Sequence, residues 1–397
     1  MAHLTGAFRT RVVARAIVLT VGVVAGSVVF LPACAVVDAG THAVAHAVPM
    51  KDTQATETPA NIVLLIGDGM GVGQVTAAKI EYGSLHMERL PVGGLLTTFA
   101  SNRLVTDSAA SGTAFATGHK TYNGAISMSP DREPLKTVLE YAEERGLATG
   151  LVATCSITHA TPAVFAAHVD NRQKDGEIAR QITASGVDVL FGGGWSFFLP
   201  DTEPGGARTD GLNLLDELRE RMPVALSVAE FRNLPDTDAV AAFFAPGHPP
   251  SVASREPPLA ELTRRAIEIL SRDEDGFFVM IEGSQIDWAG HENDHDWLMD
   301  EMTDFDEAVG VVMDFAETDG RTLVIVTADH ETGAYSVLDG SLEGRRVTRP
   351  DFGSGDHSAA MVPVLAYGPG SAAFGGVQDN TDLGRTLIEY VSLGSAR

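Results

Sequence analysis

Three apolar runs in this chain break off in the same way. NIVLLIGDG (61–69), GFFVMIEG (276–283) and TLVIVTADH (322–330) each end at a carboxylate, respectively Asp68, Glu282 and Asp329. Apolar stretches without polar alternation belong to strands buried on both faces, the pattern of a parallel sheet covered by helices. In such sheets the ligand site lies outside the carboxyl ends of the strands. Three buried strands that deliver acids to one edge, two of them with histidines nearby, point to a metal cluster.

The rest of the chain alternates in the same sense. PLKTVLEYAEERG places apolar residues at 135, 138, 139 and 142 and stops at Gly146, as a helix does. LATGLVAT and VDVLFGGG read as strands, and GEIARQITASG and LLDELRERM as helices. LAELTRRAIEILSR is a helix that feeds straight into GFFVMIEG. The stretch from Trp297 carries Leu298, Met302, Phe305, Val309 and Val312 on one helical face before TLVIVTADH begins. MVPVLAYGPG supplies a late strand and DLGRTLIEYV a closing helix. The predicted fold class is α/β, a mostly parallel central sheet with helices on both faces. Residues 201–258 and 336–356, richer in Pro, Gly and charge, read as small loop insertions, and no internal repeat is present.

The N-terminus reads as a targeting segment. Arg9, Arg11 and Arg15 precede AIVLTVGVVAGSVVF, an uncharged run of secretory type that is short for a membrane span. It closes in Leu31-Pro32-Ala33-Cys34, which resembles a bacterial lipobox. Residues 1–34 are therefore expected to be a signal peptide, 35–60 a flexible tether and 61–397 the folded domain, exported to the periplasm or cell surface and lipid-anchored at Cys34. Ordinary signal cleavage nearby is the alternative. The only other cysteine is Cys155, beside an apolar run, so with Cys34 lipidated or removed no internal disulfide can form. Cys155 reads as a small buried hydrophobe. A formal net charge of -25 argues against a nucleic-acid partner.

Chemistry concentrates near the strand ends. Asp287 and His291 are four apart, so one helical turn would put both on the same face, and that pair suits zinc. Asp329 and His330 are adjacent and could serve one ion only if the strand has ended before them. In TDSAASGTAFATG (106–118), Ser108 stands before small, helix-compatible residues. That is a place for a nucleophile supported by exposed backbone N–H groups, or for an ordinary N-cap serine. Glu292, Asp294, His295 and Asp296 read as a solvated face or helix cap, His119 and Lys120 as surface, His168 as a packed neighbour, and His86 and His248 as ordinary.

LLIGDGMG, VTDSAASGTAFATG, THATPA with AHVDNR, IEGSQIDWAGH, TADHETG and GDHSAAMVPV occur in that order, and together they resemble the sequence blocks of the alkaline phosphatase family. The resemblance implies a metal-dependent phosphomonoesterase with two zinc ions and one magnesium ion. Ser108 would take the phosphoryl group and Arg172 would hold phosphate oxygens. Asp287, His291 and His357 would hold one zinc, and Asp68, Asp329 and His330 the other. Asp68 would bridge to a magnesium site completed by Thr161 and Glu282. Two positions depart from the best-known bacterial pattern: His159, where some members have Asp, and Trp288, where others have Lys or His. Both are expected at the substrate, and Trp288 removes a cation from the phosphate pocket. Alternatives are a phosphodiesterase or sulfatase of the same superfamily, or a non-catalytic metal- or phosphate-binding lipoprotein. Ser108 is followed by Ala-Ala-Ser-Gly, which is not a sulfatase context. The short stretch between His330 and His357 leans toward a homodimer without an elaborate interface insertion.

Overall fold

The computed structural model describes residues 58–393. The expected signal peptide, Cys34 and nearly all of the expected tether lie outside the described residues. The strands, in chain order, are β1 (Asn61–Gly67), β2 (Val92–Thr97), β3 (Ala148–Ser156), β4 (Val189–Gly193), β5 (Val224–Ala225), β6 (Val240–Phe243), β7 (Phe277–Gly283), β8 (Thr322–Thr327), β9 (Glu331–Thr332), β10 (Tyr335–Ser341), β11 (Arg346–Phe352), β12 (His357–Ser358), β13 (Val362–Tyr367) and β14 (Gly376–Asp379). Ten of them form one sheet in the order β14-β2-β13-β8-β1-β7-β3-β4-β6-β5. All neighbours in it run parallel except β13, which is antiparallel to both β2 and β8.

The runs that opened the sequence reading are the centre of this sheet. Every residue of β1, β7 and β8 is buried. Each Leu, Ile, Val or Phe there contributes roughly 1.5–3 kcal/mol by leaving water, which drives the strands to the middle and not to an edge. Their registers are level: Ile66 of β1 lies opposite Glu282 of β7 and Thr327 of β8, and Ala153 of β3 is also opposite Glu282. The chain segments that follow all four strands therefore emerge on one edge.

Helices cover both faces. Leu259–Leu270 and His295–Asp319 pack together on one, while Ser108–Thr117, Val138–Glu144, Ala160–Ala166 and Asn380–Leu393 group on the other. The long helix starts where Asp294 accepts a hydrogen bond from Trp297 N at 3.1 Å, and it ends at Gly320 in the left-handed conformation. Its Leu298, Met302, Phe305, Val309 and Val312 are fully buried.

Residues 201–258 are more than an insertion. They carry β6 and β5, which extend the main sheet beyond β4, and they are short enough to have been missed as strands. Residues 336–356 do form a separate hairpin, β10 with β11. The loop after β6 is tied to the core by Arg255, which pairs with Glu301 at 2.6 Å and Asp304 at 2.8 Å, all three buried. Gln285 Nε2 donates to the carbonyls of Thr154, Pro249 and Pro250 and pins the same loop over the site edge.

Candidate active site and metal centre

The helix Ser108–Thr117 is built from small residues because it is buried along its whole length. A Cβ at Gly112 would stand 2.9 Å from Val164 Cγ2, so the neighbouring helix can approach only glycine there. Ser108 is not the cap. Asp107 is: its Oδ1 accepts from Ala110 N at 2.9 Å. Ser108 is thus the first helical residue, only 2% exposed, with its hydroxyl free for other work. Ser108 Oγ lies 3.3 Å from His330 Nε2. The positive end of the helix supports negative charge at this place.

Asp107 also orders Arg172. Its Oδ2 accepts from Gly124 N at 2.9 Å and from Arg172 Nη1 at 3.2 Å. Arg172 Nη2 donates to His159 Nε2 at 2.9 Å. His159, Trp288 and His248 stand edge to face, with ring centroids 4.8 to 6.3 Å apart. His248 Nδ1 accepts from Ser156 N at 3.1 Å. Of the two residues expected at the substrate, His159 is bonded to Arg172 and Trp288 lies against His159. His248 and Asp107 were missed. Asp107 could have been found as the acid before a serine at a helix start, whereas nothing in the local sequence distinguishes His248.

The expected metal ligands converge. Asp68, Asp329 and His330 offer donor atoms within 4.8 Å of one another, as do Asp287, His330 and His357. The helix Gln285–His291 puts Asp287 and His291 on one face, with Asp287 Oδ2 3.3 Å from His291 Nε2. β8 ends at Thr327, so Asp329 and His330 are free of strand geometry and both turn to the cluster. His330 borders both groups, its ring stacked on His357 at 3.6 Å between centroids. Thr161 and Glu282 are fully buried behind them.

The imidazoles are set for ions. His291 Nδ1 donates to Gly355 O at 2.8 Å, His357 Nδ1 to Thr106 O at 2.9 Å and His330 Nδ1 to Thr332 Oγ1 at 3.2 Å. Thr332 in turn donates to Asp287. Ligating histidines are held in this way, by their other nitrogen. Each Nε2 then faces the cluster: that of His291 is 3.2 Å from that of His357, and that of His330 is 3.2 Å from Asp329 Oδ2 and 3.4 Å from Asp68 Oδ1. Lone pairs face lone pairs, an arrangement that requires a cation or a proton between them.

The charges say the same. Both oxygens of Asp68, Oδ2 of Asp329, Oε1 of Glu282 and the hydroxyl of Thr161 have no hydrogen-bond partner among the described residues. Burial, then Asp329, Asp287 and Glu282, push the Asp68 carboxyl well above the usual range. Burial and Asp329 push Glu282 up to about 7, and burial and Asp287 push Asp329 up to about 6. Burial and His357 drive His330 well below the ordinary histidine value. For Asp287, burial is outweighed by His291 and His357, which hold it well below the usual range. The bond to Asp287 in turn raises His291 to about 9, so a proton partly substitutes for a cation there. This donor set fits divalent ions.

The residues outside the cluster behave as solvated or packed groups. Asp294 is the helix cap, His295 contacts Glu81, His119 is exposed, and His168 hydrogen-bonds Glu140 and Ser127 O. Lys120 is half-buried, over the Phe99 ring and paired with Asp379.

Known proteins resemble this chain in sequence and in fold. The sequence profile of the alkaline phosphatases matches residues 59–351. Alkaline phosphatase 3 of Bacillus subtilis (strain 168) is 34% identical over 419 residues, covering 83% of this chain and 88% of its own. The alkaline phosphatase of the Antarctic bacterium TAB5 superposes with a TM-score of 0.77 at 36% identity, covering 86% of this chain and 100% of that one. A point variant of that enzyme, solved with magnesium bound, superposes equally well, with a TM-score of 0.77 at 35% identity over 86% of this chain and 100% of its own. With the family's profile matched over residues 59–351 and relatives 34% and 36% identical over most of the chain, the chain belongs to the alkaline phosphatase family and is a phosphatase.

Proposed function

We propose that this chain hydrolyses phosphate monoesters through a phosphoserine on Ser108, at a centre of two zinc ions and one further cation, and that it is exported. The observation that carries the reading is the place of Ser108 Oγ: a buried helix N-terminus, 3.3 Å from His330 Nε2, beside the Asp and His groups and the guanidinium of Arg172. Asp287, His291 and His357 would hold one zinc, and Asp68, Asp329 and His330 the other. The oxygens of Asp68, Thr161 and Glu282, taken alone, suit magnesium, the ion bound in the TAB5 variant. Paired divalent ions lower the pKa of a hydroxyl and neutralise charge on attacking and leaving oxygens.

The chain's own groups do the rest. Arg172 presents a planar fork to two non-bridging phosphate oxygens, and Asp107 keeps that fork in place. Ser108 Oγ attacks phosphorus opposite the ester oxygen. The serine proton passes to solvent, the Oγ–P bond forms as the P–O ester bond breaks, and the alcohol leaves with a proton from solvent. Water then attacks phosphorus from the vacated side, Oγ–P breaks, and phosphate leaves. The helix N-terminus supports Oγ each time it carries negative charge. His159 and Trp288 flank Arg172 and bound the pocket for the phosphate and its organic group.

Arg9, Arg11 and Arg15 before an apolar stretch support export, and Leu31-Pro32-Ala33-Cys34 supports a lipid anchor. A chromogenic monoester, a diester and a sulfate ester, compared with and without chelator, test the reading. Monoester hydrolysis that dominates and is lost to chelator is expected. Preference for the diester or sulfate ester, or hydrolysis indifferent to chelator, would overturn it.

A further inference from the structure

Cys155 is buried as the sequence suggested, but it has an acidic neighbour. It sits at the end of β3, one strand away from Glu282 at the end of β7. Its Sγ is 3.5 Å from Glu282 Oε2. Cys155, Glu282 and a ring nitrogen of His159 offer donor atoms within 4.8 Å of one another. Glu282 is fully buried, and its Oε1 has no hydrogen-bond partner among the described residues. The fully buried Thr161 hydroxyl and His159 Nδ1 are likewise unpartnered. Buried donor atoms without partners are ligand atoms awaiting a cation, and the Cys155 thiol, which donates to Glu282 Oε2 and to Ser156 O, stands beside them.

We propose that Cys155 is a thiolate ligand of the third cation site, alongside Glu282, and that the site therefore selects zinc or cobalt over magnesium. The inference rests on the metal-dependent reading above and refines it. Magnesium is a hard ion held by oxygens, whereas thiolate binds zinc and cobalt strongly. The thiol proton passes to solvent as the sulfur–metal bond forms, so binding one divalent ion raises the net charge of this acidic pocket by one. His159 has a separate part. Arginine only donates, so His159 Nε2 accepts from Arg172 and the ring proton lies on Nδ1. His159 could join the ion only by moving that proton and releasing Arg172, which makes sulfur the donor available without rearrangement.

The test uses the full chain carrying Cys34→Ala, so that Cys155 is the sole thiol, with Cys155→Ser and Cys155→Ala added in turn. Cobalt is titrated into the chelated protein, and absorbance and bound metal are read, neither of which depends on turnover. A thiolate-to-cobalt charge-transfer band in the near ultraviolet is expected with Cys155 present. Loss of that band in both variants is expected too, with one zinc fewer per chain retained against excess magnesium. Cobalt bound with no such band in the Cys155 protein would overturn the proposal even if neither variant folds. Zinc retention equal in all three proteins would also overturn it, while leaving the two-zinc reading intact. If no form retains any ion, the metal reading itself fails and takes the proposal with it.

Discussion

The two halves of the ion centre differ in how much water they meet. Asp68, Asp329 and His330 are fully buried, whereas the outer half pairs a buried Asp287 with His291 and His357, whose side chains are 35% and 15% exposed. The inner half hangs directly from β1 and β8, and its groups cannot be solvated by any small movement. The outer half joins a short helix to the two-residue strand β12 and borders solvent. The inner acids are consequently pushed up by burial and mutual repulsion, while the outer pair is held together as carboxylate and imidazolium. The difference teaches that the inner half tolerates little loss, and that the outer half exchanges its ion more readily.

Substitution should separate them. Asp329→Asn is expected to reduce kcat/KM by at least about 10³, the scale of removing a preorganised charge from a water-excluded site. His291→Ala should cost about 10- to 100-fold and be partly restored by added zinc. Equal losses that zinc does not restore would break the comparison.

Stability against pH should follow the same division in chelated protein. Glu282 and Asp329, with folded values of about 7 and 6 against ordinary values of 4.5 and 3.8, keep their protons longer in the folded state. Folding therefore loses stability as pH rises from about 4 to 7, by on the order of a few kcal/mol. His291, raised to about 9 from 6.5, adds stability that is present below 6.5 and is lost as pH rises through 9. Below pH 6.5 the buried His330, held well below the ordinary histidine value, works in the opposite sense, so the fall in melting temperature of the chelated protein should show from about pH 6.5 to 9. Bound ions should flatten that slope, and a chelated protein equally stable across this range would contradict the charge assignments.

Smaller effects sharpen the phosphate side. Asp107→Ala removes a helix cap and the partner of Arg172 at once, so about 1 kcal/mol of stability should be lost together with a raised KM. An unchanged KM would reduce Asp107 to a cap. Trp288→Lys restores a cation near the phosphate, and product inhibition should tighten by roughly a few-fold. No tightening would show that the residue at 288 does not set how tightly product phosphate is held.

The inner half was also the more legible in sequence. An apolar run that stops at an acid is visible without a structure, and β1, β7 and β8 lie where their residues placed them. Asp287 with His291 was legible through helical spacing. What could not be read depends on long-range contact. His248 meets His159 and Trp288 only because Arg255 and Gln285 hold its loop down. β5 and β6 are too short for any periodicity, and they become strands by pairing beside β4. Ser108 was ambiguous between nucleophile and cap until Asp107 filled the capping role. Cys155 looked like a hydrophobe because its acidic neighbour is 127 residues away in the chain.

The central claim is that Ser108 Oγ carries the phosphoryl group. A labelled monoester, mixed with the enzyme and quenched in acid, tests it by locating the label with peptide mass spectrometry. Label on Ser108, and none in a folded Ser108→Ala protein whose turnover has collapsed, is the predicted result. Label on another residue, or Ser108→Ala turning over at the original rate, would contradict it.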